Sequence, residues 1–511
     1  MRKYIYILCC IFLISCDSLL DVVPENASTL GNYFKDEKEV ESITSEMHSI
    51  VRSYFADDNA HFFMGLLADE TIGFDELRDL KSSALEDTPY LNWKNHYDAI
   101  YLANLLIENV DKMKNVAQDR VDFHVGQACF VKGLLYFDIA RRWGNAIITK
   151  STTVMTAYAA SPALEVIDTA IVNAKKAFDM LPLFEDMKDI SGNANVVKQY
   201  GCKGSAAALL AHLYAWKGSV IDLYKFEGDS KKCYEESIDW ATRLITKKVG
   251  QYELLSSPEE LCKYMSSTKL VNPESIFELM LDKYSSSYPS SRVPGRFYGT
   301  YPVDKYASSA DFKDNASFLL YNETLEDLFE MPDTLRLYAF FYEFKTASQE
   351  TSDDYTGYAY LHKWREGLYV ADGSSSSSES FIACDANYSY WRLADIYLLR
   401  AECYVKLGDN THAKNDLNKI RDRAKMPAYP AEGDGDLQYA IFREREKELI
   451  GEGHRYYDVI RNQYFRTELS PAFGNLSDKD VEDGALYLPI SNTAFSLNDV
   501  LRQNRYWAKF F

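Results

Sequence analysis

The sequence lacks the clustered residues that most site chemistries need. Its nine cysteines include no CxxC pair and none stands beside histidines, so a zinc site has no support. Histidine is sparse, with eight scattered along 511 residues, and they form neither an HExxH helix nor a Ser/His/Asp arrangement. No glycine-rich loop follows a strand pattern, so nothing resembles a phosphate cradle, and no residue pattern calls for a cofactor or metal. Positive charge is in deficit: 56 Lys and Arg stand against 76 Asp and Glu, a formal charge of −20. A surface of that sign repels phosphate backbones, and no basic cluster offsets it, which argues against nucleic acid as a partner. Beyond the N-terminal segment, no apolar run is long enough to span a bilayer.

Aromatic residues are abundant, at 14% of the chain with 38 tyrosines. Tyrosine joins a flat apolar face to a polar tip, which suits packed helices and also sugar- or peptide-binding surfaces. By burial habit most of them belong to the core. The N-terminus reads as a targeting signal: Arg2-Lys3, then a short apolar run from Tyr4 to Ile14, then Ser15-Cys16. A small residue before a cysteine at the end of such a run resembles a bacterial lipobox. It implies a signal peptide over residues 1–15, cleavage before Cys16 and lipidation of the Cys16 thiol, an anchor worth about 0.8 kcal/mol per buried CH₂. Cys129 and Cys403 lie in apolar helical patterns where core thiols are common. Export permits disulfides, but pairing cannot be read from spacing.

After a lipidated lead over 16–36, helical spacing covers 37–56, 97–114 and 121–143, with a polar, irregular region at 65–92. The clearest stretch is 391–424, WRLADIYLLRAECYVKLGDNTHAKNDLNKIRDRA, which reads as two helices around a turn. Leu393, Ile396, Tyr397, Leu399, Ala401, Tyr404 and Leu407 follow the first helix. Gly408-Asp409 ends it, and Asn410 or Thr411 is placed to cap the second, whose inner face is Ala413, Leu417 and Ile420. The small–Tyr–small positions fit a tetratricopeptide helix pair. They recur at Gly133/Tyr136/Ala140, Ala211/Tyr214/Gly218 and Ala401/Tyr404/Gly408, giving repeat units near 121–182, 202–246 and 391–424 within one domain over 37–511. A helix from 161–162 carries Ala170, Ala174 and Ala177 before Pro182, and another near 231–246 carries Ser237, Ala241 and Leu244. From 252 to 385 the helical signal weakens into Ser-, Gly-, Pro- and Tyr-rich segments, the loops where binding groups usually sit. A long charged helix is expected over 438–461.

Four segments together resemble the SusD/RagB family of outer-membrane lipoproteins from Bacteroidetes. They are the lipobox with CDSLLDVVPEN, KGLLYFDIARRWGN at 132–145, WRLADIYLLRAECYVKLGD at 391–409, and the Glu-Arg…Glu-Leu…Glu-Gly-x-Arg…Asp…Arg pattern carried by Glu444, Arg445, Glu448, Leu449, Glu452, Gly453, Arg455, Asp458 and Arg461. LYLPIS and Arg502-Gln503-Asn504 extend the likeness to the C-terminus. Glu446 departs from the family's second Arg, and Arg505-Tyr506-Trp507 replaces a common Pro-Gly-Tyr; both read as scaffold positions. The resemblance implies an all-α fold, mostly helical with long irregular loops, on a tetratricopeptide-like scaffold of the SusD-like type. It also implies a non-enzymatic, lipid-anchored binding lid at the cell surface over a SusC-like TonB-dependent outer-membrane transporter, capturing glycan or sometimes peptide for import.

Binding a sugar asks for aromatic faces and a few polar groups in a concavity. Residues 65–92 offer Asp69, Glu70, Asp75, Arg78 and Tyr90, and residues 284–306 offer Tyr288, Arg292, Arg296, Tyr298 and Tyr301. A weaker candidate region is 355–364. No fixed family motif marks the ligand residues, so each of these rests on its chemistry alone. Glu444, Glu448 and Glu452, four apart on one helical face, could invite a surface-glycosidase reading. Carboxylates among arginines on a helix are ordinarily ion-paired structure instead.

Overall fold

The computed structural model describes residues 33–55, 81–86, 91–154, 156–195, 197–280, 294, 301–308, 320–329, 332–345, 357–371, 379–496 and 498–510. The segment read as a signal, residues 1–15, and Cys16 lie outside the described residues, as do Asp69, Glu70, Asp75, Arg78, Tyr90, Tyr288, Arg292, Arg296 and Tyr298.

The first half is a set of packed helices: α1 (Glu37–Phe55), α2 (Lys94–Glu108), α3 (Gln118–Arg142), α4 (Ala163–Met180), α5 (Lys203–Tyr224) and α6 (Ser230–Ile245). In α1 the buried residues Val40, Ile43, Met47, Val51 and Tyr54 recur every three or four positions, the stripe of a helix with one inner face. α5 is apolar nearly all round, and both it and α3 are buried on nearly all sides, α3 with polar His124, Gln127, Asp138, Arg141 and Arg142 inside. α3 packs against α2 and α4, and α5 against α4 and α6. Small residues set these distances. A methyl group on Gly133 would stand 3.2 Å from the backbone of α4 at Ala170 and Ala174, and one on Gly218 would stand 2.7 Å from the Tyr234 ring of α6.

The middle of the chain holds short elements: α7 (Pro258–Met265), β1 (Ser275–Leu279), α8 (Thr334–Phe340), β2 (Gly367–Ala371), β3 (Glu379–Cys384) and β4 (Tyr388–Arg392). β1 pairs antiparallel with β4, placing Phe277 opposite Trp391, and β2 pairs antiparallel with β3. α9 (Leu393–Lys406), α10 (Asn410–Arg423), α11 (Leu437–Leu449) and α12 (Arg455–Asn462) follow. Ala394, Leu398, Ala401, Leu417, Ile420 and Ile441 form a small separate core between α9, α10 and α11.

Several expectations need correction. Trp391 and Arg392 belong to β4, because β1 lies alongside to take their backbone hydrogen bonds; α9 begins at Leu393. The cap of α10 is Asp409, whose side chain accepts from the His412 N–H, not Asn410 or Thr411. Tyr136 and Tyr214 are buried as expected, whereas Tyr404 is only half-buried and stacks on His412. The charged stretch 438–461 is two helices rather than one, broken where Gly451 and Gly453 take positive φ values of 77° and 73°. Cys129, Cys202, Cys233, Cys262, Cys384 and Cys403 are buried free thiols. Among the described residues no helix is long and apolar enough to cross a membrane.

Candidate ligand-binding site

Of the loop residues proposed from sequence, Tyr301 is the one within the described chain, and it sits in a cluster of aromatic rings. Phe341 and Leu361 form an antiparallel bridge; the Tyr342 N–H donates to the Tyr360 carbonyl at 2.9 Å and the His362 N–H to the Phe340 carbonyl at 2.7 Å. Opposed residues of such a bridge share a face, so Tyr342 and Tyr360 stand side by side. Tyr301 packs edge-on against both, with ring centroids 5.2 Å from Tyr360 and 6.0 Å from Tyr342. His362 adds a ring 5.2 Å from Tyr342. Tyr360 is buried beneath, while Tyr301 and Tyr342 remain half-buried.

The segment that carries Tyr301 is pinned by Tyr369 of β2. The Tyr369 hydroxyl donates to the Val303 carbonyl at 3.1 Å and accepts from the Lys305 N–H at 2.9 Å. Tyr306, 60% exposed, packs edge-on against the Tyr369 ring at 5.7 Å, and the Lys305 ammonium lies 4.1 Å from the centre of that ring. Residues 301–306 therefore join two aromatic groups, one around Tyr360 and one around Tyr369.

The polar tips of this wall are neutral donors. Burial, and then the Glu343 carboxylate, raises the Tyr301 and Tyr342 phenols, which stay protonated. Burial, and then Arg365, lowers His362 to about 4, so its imidazole is uncharged at neutral pH. Half-buried ring faces with neutral hydroxyls can stack on the apolar C–H face of a sugar and hydrogen-bond its hydroxyls. Tyr342 and Tyr369 were not legible as site residues, since neither lies in a motif or in the Tyr-rich stretch. Tyr360 and His362 fall in the weaker region named from sequence.

The signature acids have a different setting. Glu444 takes Arg336 at 2.6 Å and Arg421 at 3.0 Å; Glu448 takes Arg392 at 2.7 Å and also Arg423; Glu452 takes Lys363 at 2.7 Å and Arg392. All three are buried. Although burial opposes ionisation, the surrounding arginines hold Glu448 and Glu452 below the usual carboxylate range. A glycosidic general acid needs a raised pKa beside an open cleft. These carboxylates are instead clamps joining α11 to β4, α10 and the 333–363 region. A second buried set, Arg445 with Asp395 and Asp458, and Arg461 with Glu402, ties α11 and α12 to α9. Glu446, the departure from the family pattern, pairs with Arg443 and Arg455. Among the described residues no group of three or more His, Cys, Asp or Glu is arranged to hold a metal ion.

Comparison with known proteins gives matches along most of the chain. Residues 311–507 match the model of the SusD family, and residues 18–214 match a model described as starch-binding and associating with the outer membrane. SusD-like protein P38 of Formosa agariphila is 22% identical over 501 residues, covering 91% of this chain and 92% of its own. A SusD homologue from Bacteroides thetaiotaomicron superposes with a TM-score of 0.74 at 20% identity, over 93% of this chain and 99% of that one. A laminarin-binding SusD-like protein superposes with a TM-score of 0.67 at 20% identity, over 92% and 99%.

Proposed function

The chain belongs to the SusD/RagB family, and from that premise we propose that it is a cell-surface glycan-binding protein that hands oligosaccharide to a TonB-dependent outer-membrane transporter. In this reading Cys16 carries the lipid that holds the protein at the outer membrane, and the helices over 37–511 form the rigid body that presents the loops. The observation that carries the ligand class is the Tyr301/Tyr342 wall over Tyr360, an aromatic surface with hydroxyl tips beside the Glu343 carboxylate. A charged peptide would call for fixed charges there, and ionic groups beside it are already engaged: Glu343 with the Tyr342 hydroxyl, Lys305 with Glu379, and Arg365 with Glu259. The laminarin-binding relative lends support to a glycan over a peptide. The residues outside the described chain, Asp69, Glu70, Asp75, Arg78, Tyr90, Tyr288, Arg292, Arg296 and Tyr298, are proposed to complete the site.

The test is a glycan array with the mature chain, run beside a set of oligopeptides and a labelled oligosaccharide. Retention of glycan without turnover is the expected result. Binding of peptides alone would reassign the ligand, and release of product that is lost in Glu448→Gln or Glu452→Gln would make the protein a glycosidase.

A further inference from the structure

A second cleft shares no residue with the tyrosine wall. It lies between the start of α4, the turn after α5 and the C-terminal segment, with a volume of about 410 Å³, within the range of about 300–1,000 Å³ that small-ligand sites occupy. A ladder of three rings forms one side. Phe226 stacks on Tyr224 at 5.4 Å and 22°, and Tyr224 stacks on Tyr487 at 5.4 Å and 17°. Phe226 ends the ladder and is 37% exposed, so its outer face is open.

Polar groups in the lining lack partners. Trp143 is 1% exposed, yet its indole N–H has no hydrogen-bond acceptor. The Tyr224 and Tyr487 hydroxyls, on side chains that are also buried, have no partner beyond each other. These polar atoms are sealed inside the wall, so what the cleft offers a ligand is the open face of Phe226 and its charged rim. At the rim stand Glu227, Glu482, Asp483 and Arg505. Neither Glu227 nor Arg505 has an ion-pair partner among the described residues.

These groups narrow the ligand. A cation would face Arg505. An anion would face three carboxylates. A neutral ring with one apolar face and hydroxyls that both donate and accept suits the ladder and the mixed rim. We propose that this cleft is a second carbohydrate site, binding one neutral sugar unit against Phe226 with Glu227 and Arg505 on its hydroxyls. It goes beyond the tyrosine-wall reading and does not depend on it.

Ligand-observed NMR of the mature chain with maltose, cellobiose, laminaribiose and galactobiose tests the site. Phe226→Ala, Glu227→Gln and Tyr301→Ala are the variants, and melting curves serve as the folding control. The expected result is a binding event weakened roughly tenfold by Phe226→Ala, the order a lost stacking face produces, and weakened by Glu227→Gln but not by Tyr301→Ala. If Phe226→Ala melts early, the exposed Glu227→Gln decides. The proposal is overturned if no disaccharide binds, if binding by the Tyr301→Ala chain survives the addition of each cleft variant, or if tetramethylammonium or a dipeptide binds there in place of sugar. Loss in Tyr301→Ala alone would leave the tyrosine wall standing and remove this second site.

Discussion

Arg392 grips Glu452 with two nitrogens, Nε at 2.8 Å from one carboxylate oxygen and Nη2 at 2.9 Å from the other. The same guanidinium reaches Glu274 at 2.8 Å and Glu448 at 2.7 Å. One side chain at the end of β4 thus binds carboxylates from beside β1, from α11 and from the turn after it. Removing one partner of a buried, hydrogen-bonded set strands the others without counter-charge, at a cost of about 3–5 kcal/mol. Arg392→Met is therefore expected to lose that much in urea unfolding. Arg443→Met, which removes a pair nearer the surface with Glu446, is expected to lose less than about 1 kcal/mol. Equal losses would contradict the clamp.

Stability should fall on mild acidification, and histidine is the cause. Burial is the largest influence lowering His48, His124, His362 and His454, each to about 4 from 6.5. Between those values the unfolded chain binds protons that the native chain does not, so stability rises with pH across this window and is lost as pH drops from 6.5 to 4. Each fully protonating group adds at most about 1.4 kcal/mol per pH unit. The depressed carboxylates, Glu452 among them, begin to lose their contribution only near the unfolded Glu value of 4.5 and go on losing it at lower pH. Melting temperature should be flat from pH 8 to 7 and decline below 6.5. A flat profile down to pH 4.5 would refute it.

Much of the scaffold was legible in the sequence because its helices are long and apolar on regular faces. The buried positions Ala170, Ala174, Ala177, Ala413, Leu417 and Ile420 follow from spacing alone. The break at Gly451–Gly453 was hidden because the charged residues around it look solvated, when in fact Glu448, Glu452, Arg455 and Asp458 are buried and paired. β1 and β4 are five residues each, and the pairing that defines them joins positions more than a hundred residues apart. The tyrosine cluster was half visible. Tyr301 stands in a Tyr-rich stretch, but Tyr342, Tyr360 and Tyr369 meet it only through tertiary contacts that no local pattern encodes.

Close helix packing gives another test. An added methyl at Gly218 meets the Tyr234 ring at 2.7 Å, and Tyr234 is itself fixed by a 2.7 Å hydrogen bond to Asp222. Overpacking of this kind costs about 1–3 kcal/mol, which exceeds the helix-propensity gain of about 1 kcal/mol. Gly218→Ala should lower the melting temperature. A rise would mean that the α5–α6 contact is looser than described.

Anchoring is tested at Cys16. Cys16→Ala is expected to move the protein from the membrane fraction to the soluble one, because in the proposed reading acyl chains on Cys16 supply the membrane affinity. Unchanged membrane retention would count against the lipobox reading.

The most direct measurement is calorimetric titration of the mature chain, of Tyr301→Ala and of Tyr342→Ala, with the oligosaccharide that the array identifies. If the tyrosine wall captures glycan, each substitution weakens binding roughly tenfold or more, as loss of a stacking face implies, while the melting temperature stays near that of the unaltered chain. Glycan affinity that is unchanged in both variants, or a chain that binds peptides and no glycan, would contradict it.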